Sequence, residues 1–162
     1  MRMNLDSGHL AALRERLARA GHRLTPQRWA VWAVLQRLGD HPSAEGLYRA
    51  VRRRHPMVSR ATVYKTLEVL VRVGLVAPLP TADGVTRFDA GGPHVNFECL
   101  RCGRIEDAHD PTSLLALDRL ARRVGFAAYP AVVVRGVCQR CRTGSGVARG
   151  TRLRARNPQG RV

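Results

Sequence analysis

The stretch that decides the fold is residues 94–110, HVNFECLRCGRIEDAHD. It compresses a Cys-x-x-Cys pair, two histidines and the acids Glu98, Glu106, Asp107 and Asp110 into one short span. Two thiols on one tight turn reach a single ion, but a tetrahedral zinc site needs four ligands. The only other cysteines, Cys138 and Cys141, repeat the two-residue gap of Cys99 and Cys102. A hairpin carrying the first pair and a returning strand carrying the second would bring all four together. Four soft thiolates favour Zn²⁺ in a closed structural site with no open position for catalysis. The competing reading is a thioredoxin-like dithiol. It lacks a βαβ context and leaves the second pair unexplained.

Downstream of this stretch, Ser113 is the expected cap of a helix running to Val124, with Leu114, Leu117, Leu120 and Ala121 inward. The valine-rich segment 128–137 reads as the strand that delivers Cys138. Beyond Cys141, residues 143–162 carry many arginines, no acid and no apolar period, and are expected to be a disordered basic tail.

Upstream, short helices alternate with cap and stop signals. Residues 9–20 place Leu10, Leu13 and Leu17 on one face. Thr25 caps a second helix with Pro26 at its first position, and Val31, Val34, Leu35 and Leu38 face inward. Trp29 and Trp32 are read as core or rim rather than stacking platforms. Ser43 caps a third helix with Ala44, Leu47 and Val51 inward, and Ser59 a fourth, RATVYKTLEVLVRVG. On the fourth, Val63, Leu67 and Leu70 point inward. Ala61, Lys65 and Glu68 point outward, flanked by Thr62 and Tyr64. A hydroxylated, aromatic and basic face suits the DNA major groove, though an ordinary solvated helix shows the same pattern. Residues 75–79 and 85–88 then read as a hairpin turning at Asp83-Gly84, which makes a winged helix. Arg87 on its second strand is a candidate phosphate contact. The Gly-Gly-Pro run in 90–93 reads as the hinge between a DNA-binding domain, 1–89, and a zinc-stabilised domain, 94–142.

The chain has 162 residues, enough for one large domain or two small ones, and its 44% hydrophobic content is that of a folded protein. Its formal net charge is +16, from 28 Lys+Arg against 12 Asp+Glu. That excess points to a polyanionic partner such as nucleic acid, although a general bias toward Arg would also raise it. No signal core and no apolar run long enough for a membrane span are present, which points to a cytoplasmic protein without a membrane partner. No Ser/His/Asp set, phosphate-cradling glycine loop or open zinc triad supports an enzyme.

A second set of residues lies at the joints. His41 follows the second helix, Asp89 ends the wing, His94 opens the next strand, and Asp107 and His109 follow the first thiol pair. Nitrogen and carboxylate ligands suit Fe²⁺, Mn²⁺ or Zn²⁺. Spacing alone leaves each an ordinary alternative as a turn residue or a surface charge.

Five segments, LTPQR at 24–28, HPSAEGLY at 41–48, SRATVYKTL at 59–67, RFD at 87–89 and HVNFECLRCG at 94–103, closely resemble the ferric uptake regulator family, and Cys138-x-x-Cys141 completes the pattern. The resemblance implies an α+β homodimeric repressor, a winged helix followed by an α/β dimerisation domain, acting on palindromic double-stranded operators. It implies structural zinc at the four cysteines and a regulatory metal site at His41, Asp89, His94 and Asp107. It sets Arg60 and Tyr64 at positions similar to the family's DNA contacts, with Thr62, Lys65, Arg28 and Arg87 as further candidates. One departure stands out: the family usually has His-x-His where this chain has His94-Val95-Asn96. An amide oxygen is a harder, weaker donor than imidazole, so the change lowers affinity, favours Mn²⁺, or recruits His109 or Glu106 instead. Asp107 resembles the peroxide-sensing or manganese-sensing branches, where the iron-sensing branch usually has Glu. With Fe²⁺ bound, peroxide would oxidise a ligand such as His41 and release the DNA. The alternative is a DNA-binding protein with structural zinc only, its sensor disabled by Asn96.

Overall fold

The computed structural model describes residues 7–127 and 131–144. The architecture is α+β: a winged-helix unit, then a small α/β unit. Helices α1 (Ser7–Arg19), α2 (Pro26–Leu38), α3 (Ala44–Arg54) and α4 (Arg60–Arg72) precede the antiparallel hairpin β1 (Ala77–Pro80) and β2 (Thr86–Asp89). The side chains of Thr25, Ser43 and Ser59 accept from the N–H groups of Arg28, Gly46 and Thr62. Each cap satisfies a donor that the helix itself leaves unmet, for about 1 kcal/mol. Leu13, Leu17, Val31, Leu35, Leu47, Val51, Val63, Leu67 and Leu70 form the core; Trp32 is buried in it and Trp29 packs against it. Leu10, expected inward, is exposed, because the core begins one turn later at Leu13.

The wing starts two residues later than the apolar pattern suggests. Leu75 and Val76 donate back to the Leu70 carbonyl around Gly74 at φ 69°, so they finish α4 rather than begin a strand. At the wing turn Asp83 accepts from the Val85 N–H at 3.0 Å and from the Thr81 hydroxyl. Those bonds hold the Asp83 carboxyl below the usual carboxylate range, the Thr81 hydroxyl contributing most.

In the second unit, β3 (His94–Cys99) is central in the order β4-β3-β5, antiparallel to β4 (Ile105–Ala108) and parallel to β5 (Ala131–Gly136). Helix α5 (Pro111–Arg123) makes the crossover that a parallel pair requires. Its cap is Asp110, not Ser113: the Asp110 carboxylate accepts from the N–H groups of Thr112 and Ser113. Pro111 at the first helical position has no N–H to leave unmet, so the helix starts there. Leu114, Leu117 and Ala121 are half-buried, but Leu120 is 54% exposed, because α5 packs mainly on β3 and, among the described residues, no further element is packed over its outer side. A short helix, α6 (Gln139–Arg142), follows Cys138. Positions 128–130 of the expected third strand, and the basic tail from 145 onward, lie outside the described residues.

Strand β3 is buried on both sides except at Phe97, which is 47% exposed. One of those buried sides is polar, with His94 and Asn96 at 0% and Glu98 at 3% exposure. A buried row of His, Asn and Glu needs partners, since an unmet buried polar group costs about 1–3 kcal/mol. The winged-helix unit supplies some of them.

Candidate metal centres

The four thiols converge. Cys99 ends β3, Cys102 sits on the β3–β4 turn, Cys138 follows β5 and Cys141 lies on α6. Their sulfurs all lie within 4.8 Å of one another, with Cys102 and Cys138 at 3.9 Å, and none is in a disulfide. Zn–S bonds of about 2.3 Å in a tetrahedron put sulfurs about 3.8 Å apart, so the cluster already has the dimensions of a Cys₄ zinc site. Burial pushes the Cys99 thiol up, but the N–H groups of Cys138, Cys102 and Arg101 outweigh it and bring it down to about 6. Burial, joined by the thiols of Cys138, Cys102 and Cys99, pushes Cys141 up to about 12. Four crowded sulfurs cannot all ionise without a cation, and a bound divalent ion removes that conflict.

The second cluster sits between the two units. His41 follows α2 in a left-handed conformation, φ 40°, the only positive-φ non-glycine among the described residues. Its segment is pinned to the wing: the Phe88 N–H donates to the Pro42 carbonyl at 3.0 Å, and Ser43 bridges to Arg87. Gln36 Nε2 also donates to the Ala90 carbonyl at 3.1 Å. These bonds hold His41 beside the end of β2, where Asp89 is buried. A ligand-capable atom from each of His41, Asp89 and His94 falls within 4.8 Å of the others, and all three residues are buried. Asp107 joins from β4: its Oδ1 lies 3.1 Å from His41 Nε2 and 3.6 Å from His94 Nε2. His94 Nε2 is 3.1 Å from Asp89 Oδ2. With bonds of about 2.1 Å, ligands at right angles lie about 3.0 Å apart and tetrahedral ones about 3.4 Å, which matches these spacings.

The tautomer of His94 strengthens the case. Its Nδ1 is 2.9 Å from the Gly92 carbonyl, which can only accept, so Nδ1 carries the proton. Nε2 then faces two carboxylates, with no hydrogen-bond partner of good geometry among the described residues. A divalent cation there would be attracted by the ring nitrogen and by both carboxylates. A second atom is orphaned beside it. Asn96 Nδ2 donates to Asp89 Oδ2 at 3.4 Å, but its buried Oδ1 has no partner among the described residues.

Sequence reasoning treated 90–93 only as a hinge, yet two of its glycines shape this site. The Gly91 N–H donates to Asp89 Oδ1 at 2.8 Å, and a Cβ on Gly91 would lie 2.9 Å from His94 Cε1 and 3.2 Å from Asp89 Oδ1. Gly92 supplies the carbonyl that fixes the His94 tautomer. The legible signal was the run Asp89-Ala-Gly-Gly-Pro-His94, glycines between two candidate ligands.

The His109 ring lies tilted against His94, centroids 4.8 Å apart, and lines a cavity of about 580 Å³ with His41, Asp89 and Asp107. Glu106 is not brought to the cluster: it pairs with Arg104, and its register partner is Phe97 on the opposite side of β3. On α4, Tyr64 and Lys65 are exposed, while the Thr62 hydroxyl is 2.9 Å from the capping Ser59. Arg60 sits 3.4 Å from Glu45 and 5.2 Å over the Tyr48 ring. Arg28 donates to the Arg23 carbonyl, and the half-buried Arg87 reaches Asp83 at 3.4 Å.

A winged helix stapled to a thiolate-bearing α/β unit, with a His/Asp cluster at the seam, defines a class of metalloregulatory architecture. The family model described as "Ferric uptake regulator family" matches residues 19–130, and the chain belongs to that family. It is 38% identical over 130 residues to the "Peroxide operon regulator" of Bacillus subtilis (strain 168), covering 78% of this chain and 89% of that protein. Among solved structures it resembles the Campylobacter jejuni peroxide stress regulator, with a TM-score of 0.59, 28% identity, and coverage of 85% of this chain and 99% of that one. It also resembles the Pseudomonas aeruginosa ferric uptake regulator with manganese, with a TM-score of 0.65, 26% identity, and coverage of 77% and 96%.

Proposed function

We propose that this chain is a metal-dependent transcriptional repressor that binds palindromic operators as a homodimer and controls metal-homeostasis or peroxide-stress genes. The observation that carries this reading is His94 Nε2, without a hydrogen-bond partner among the described residues, facing Asp89 and Asp107 at the seam between the units. His41 and Asp89 from one unit and His94 and Asp107 from the other would hold a divalent ion there, and in doing so would fix the angle between the units. In a two-fold dimer that angle sets the spacing of the two α4 helices against the operator's half-sites. Only an ion that binds the DNA-competent arrangement more tightly shifts the population toward it.

The two carboxylates and the Asn96 amide oxygen favour Mn²⁺ or Fe²⁺, with Zn²⁺ as a competitor; the Cys₄ cluster takes structural Zn²⁺. The names of the relatives support a role in peroxide stress. Leu120, Val124 and Phe126, all exposed on or just beyond α5, supply apolar side chains for contact with a second copy of the chain. The net charge of +16 suits a DNA partner. The test is a calorimetric Mn²⁺ titration of the zinc-loaded protein. One further equivalent per chain, absent in His94→Ala, supports the proposal. No uptake by the wild type would reject it and favour the structural-zinc-only alternative, a reading supported by the Asn96 amide already occupying Asp89 Oδ2. If Fe²⁺ is the resident ion, peroxide treatment adds the mass of an oxygen atom to His41.

A further inference from the structure

The hidden polar side of β3 meets the winged-helix unit in two places, and the metal cluster accounts for only the one at His94, where Asn96 Nδ2 also donates to Asp89. The other is at Glu98. Four residues along a strand is about 13 Å, so the two grips are well separated. Glu98 Oε1 accepts from the Ala82 N–H in the wing turn at 2.6 Å. Its Oε2 accepts from Arg135 Nε at 2.9 Å, and Arg135 Nη2 donates to the Pro80 carbonyl at 2.6 Å. Glu98 and Arg135 are direct register partners on β3 and β5, so the sheet itself sets the fork in place. The Glu98 side chain is 2% exposed and that of Arg135 is 48% exposed.

We propose that Glu98 and Arg135 form a metal-independent latch that holds the wing against the α/β unit and fixes rotation about the cation site. A cluster of ligands at one end of β3 pins a point; a body pinned at one point still swivels. The second grip, about 13 Å away, removes that freedom. The hydrogen bonds suit the task, because a carboxylate accepting from a guanidinium and from a backbone N–H is charge-assisted and directional. The consequence is linkage. A latched wing keeps His41 and Asp89 near His94 and Asp107 before any cation arrives, so part of the ordering cost of metal binding is met in advance. Glu98 and Arg135 are therefore positioning residues, since neither is among the candidate metal ligands. The coupling to metal rests on the cation reading above; the latch itself does not.

The test uses full-length, zinc-loaded Arg135→Ala, chosen because a half-exposed side chain is tolerated on removal, with Glu98→Gln as a second variant that keeps an acceptor but loses the charge. Amide hydrogen exchange is followed at residues 80–86 without and with saturating Mn²⁺, together with Mn²⁺ affinity and the melting temperature. The latch predicts exchange at Ala82 faster by about tenfold in the metal-free variant, partly restored by Mn²⁺. It also predicts Mn²⁺ affinity weaker by about fivefold or more, the lower end of typical couplings, with the melting temperature nearly unchanged. Exchange at Ala82 equal to wild type overturns the proposal. So does a rise in exchange across the whole chain with a fallen melting temperature, which marks a merely structural role. If the wild type takes up no second cation, the metal-clamp reading fails while the exchange comparison still decides the latch.

Discussion

Nε2 of His94 lies 3.1 Å from Oδ2 of Asp89 while Nδ1 of the same ring is tied to the Gly92 carbonyl. The other ring nitrogen is thereby turned toward the carboxylates of Asp89 and Asp107, where a divalent cation would find donors from both units.

Gly91 guards that arrangement. A methyl group there would lie 2.9 Å from His94 Cε1, so Gly91→Ala must push the imidazole or the Asp89 carboxylate away. Overpacking of this kind costs about 1–3 kcal/mol. Mn²⁺ affinity in Gly91→Ala should fall about tenfold or more, consistent with a loss near 1.4 kcal/mol, while the Cys₄ zinc is retained. Calorimetry with metal analysis checks both.

In the proposed site Asn96 would set the metal preference. Asn96→His replaces a hard amide oxygen with an imidazole nitrogen in the same buried place, opposite Asp107 in register. Competition titrations should show Zn²⁺ and Fe²⁺ gaining on Mn²⁺ by about tenfold, as expected when one nitrogen ligand is added. Unchanged selectivity would remove Asn96 from the account of the metal.

Zinc retention should depend on pH with a definite sign. Metal binding needs thiolates, so affinity rises with pH wherever a thiol is still protonated. Cys141, pushed up to about 12, is protonated throughout the neutral range, so it releases a proton on zinc binding and contributes about tenfold in affinity per pH unit. Cys99, brought down to about 6, is already ionised at neutral pH and contributes to the slope only below that value. Zinc loss in chelator competition should therefore steepen as pH falls through 6. Because structural zinc in small domains is worth about 10–16 kcal/mol of apparent binding energy, stripped protein should also lose its α/β-unit melting transition.

The exposed face of α5 should govern assembly. Leu120→Asp places a charge beside Val124, one turn on, among the exposed apolar side chains of α5. Association of the chains should weaken about thirtyfold or more, the effect of a change near 2 kcal/mol. Sedimentation equilibrium gives the answer, and unchanged association would place the interface elsewhere.

Much of this structure was legible in the sequence where one local signal had one meaning. Thr25, Ser43 and Ser59 stand before apolar periods and cap the helices that follow. The two Cys-x-x-Cys pairs had few uses other than a shared ion. Reading failed where local signals competed or were indifferent to tertiary context. Asp110 and Ser113 are both cap residues, and Pro111 decided between them. Leu120 belongs to the apolar period of α5, but periodicity does not distinguish a face turned to the core from one turned to solvent or a partner. Glu98 looks like any strand acid, and its burial follows only from the wing docking above it. The left-handed His41 has no sequence signature at all, since its conformation is imposed by the bonds through Pro42 and Ser43 to the wing.

The most direct test of the cation clamp is fluorescence anisotropy of the zinc-loaded protein on an operator selected from random palindromic DNA, with and without Mn²⁺ or Fe²⁺. The account predicts wild-type affinity rising about tenfold or more on metal addition, within the usual range of allosteric coupling, and no rise in His94→Ala. Equal wild-type affinity with and without either metal would contradict it.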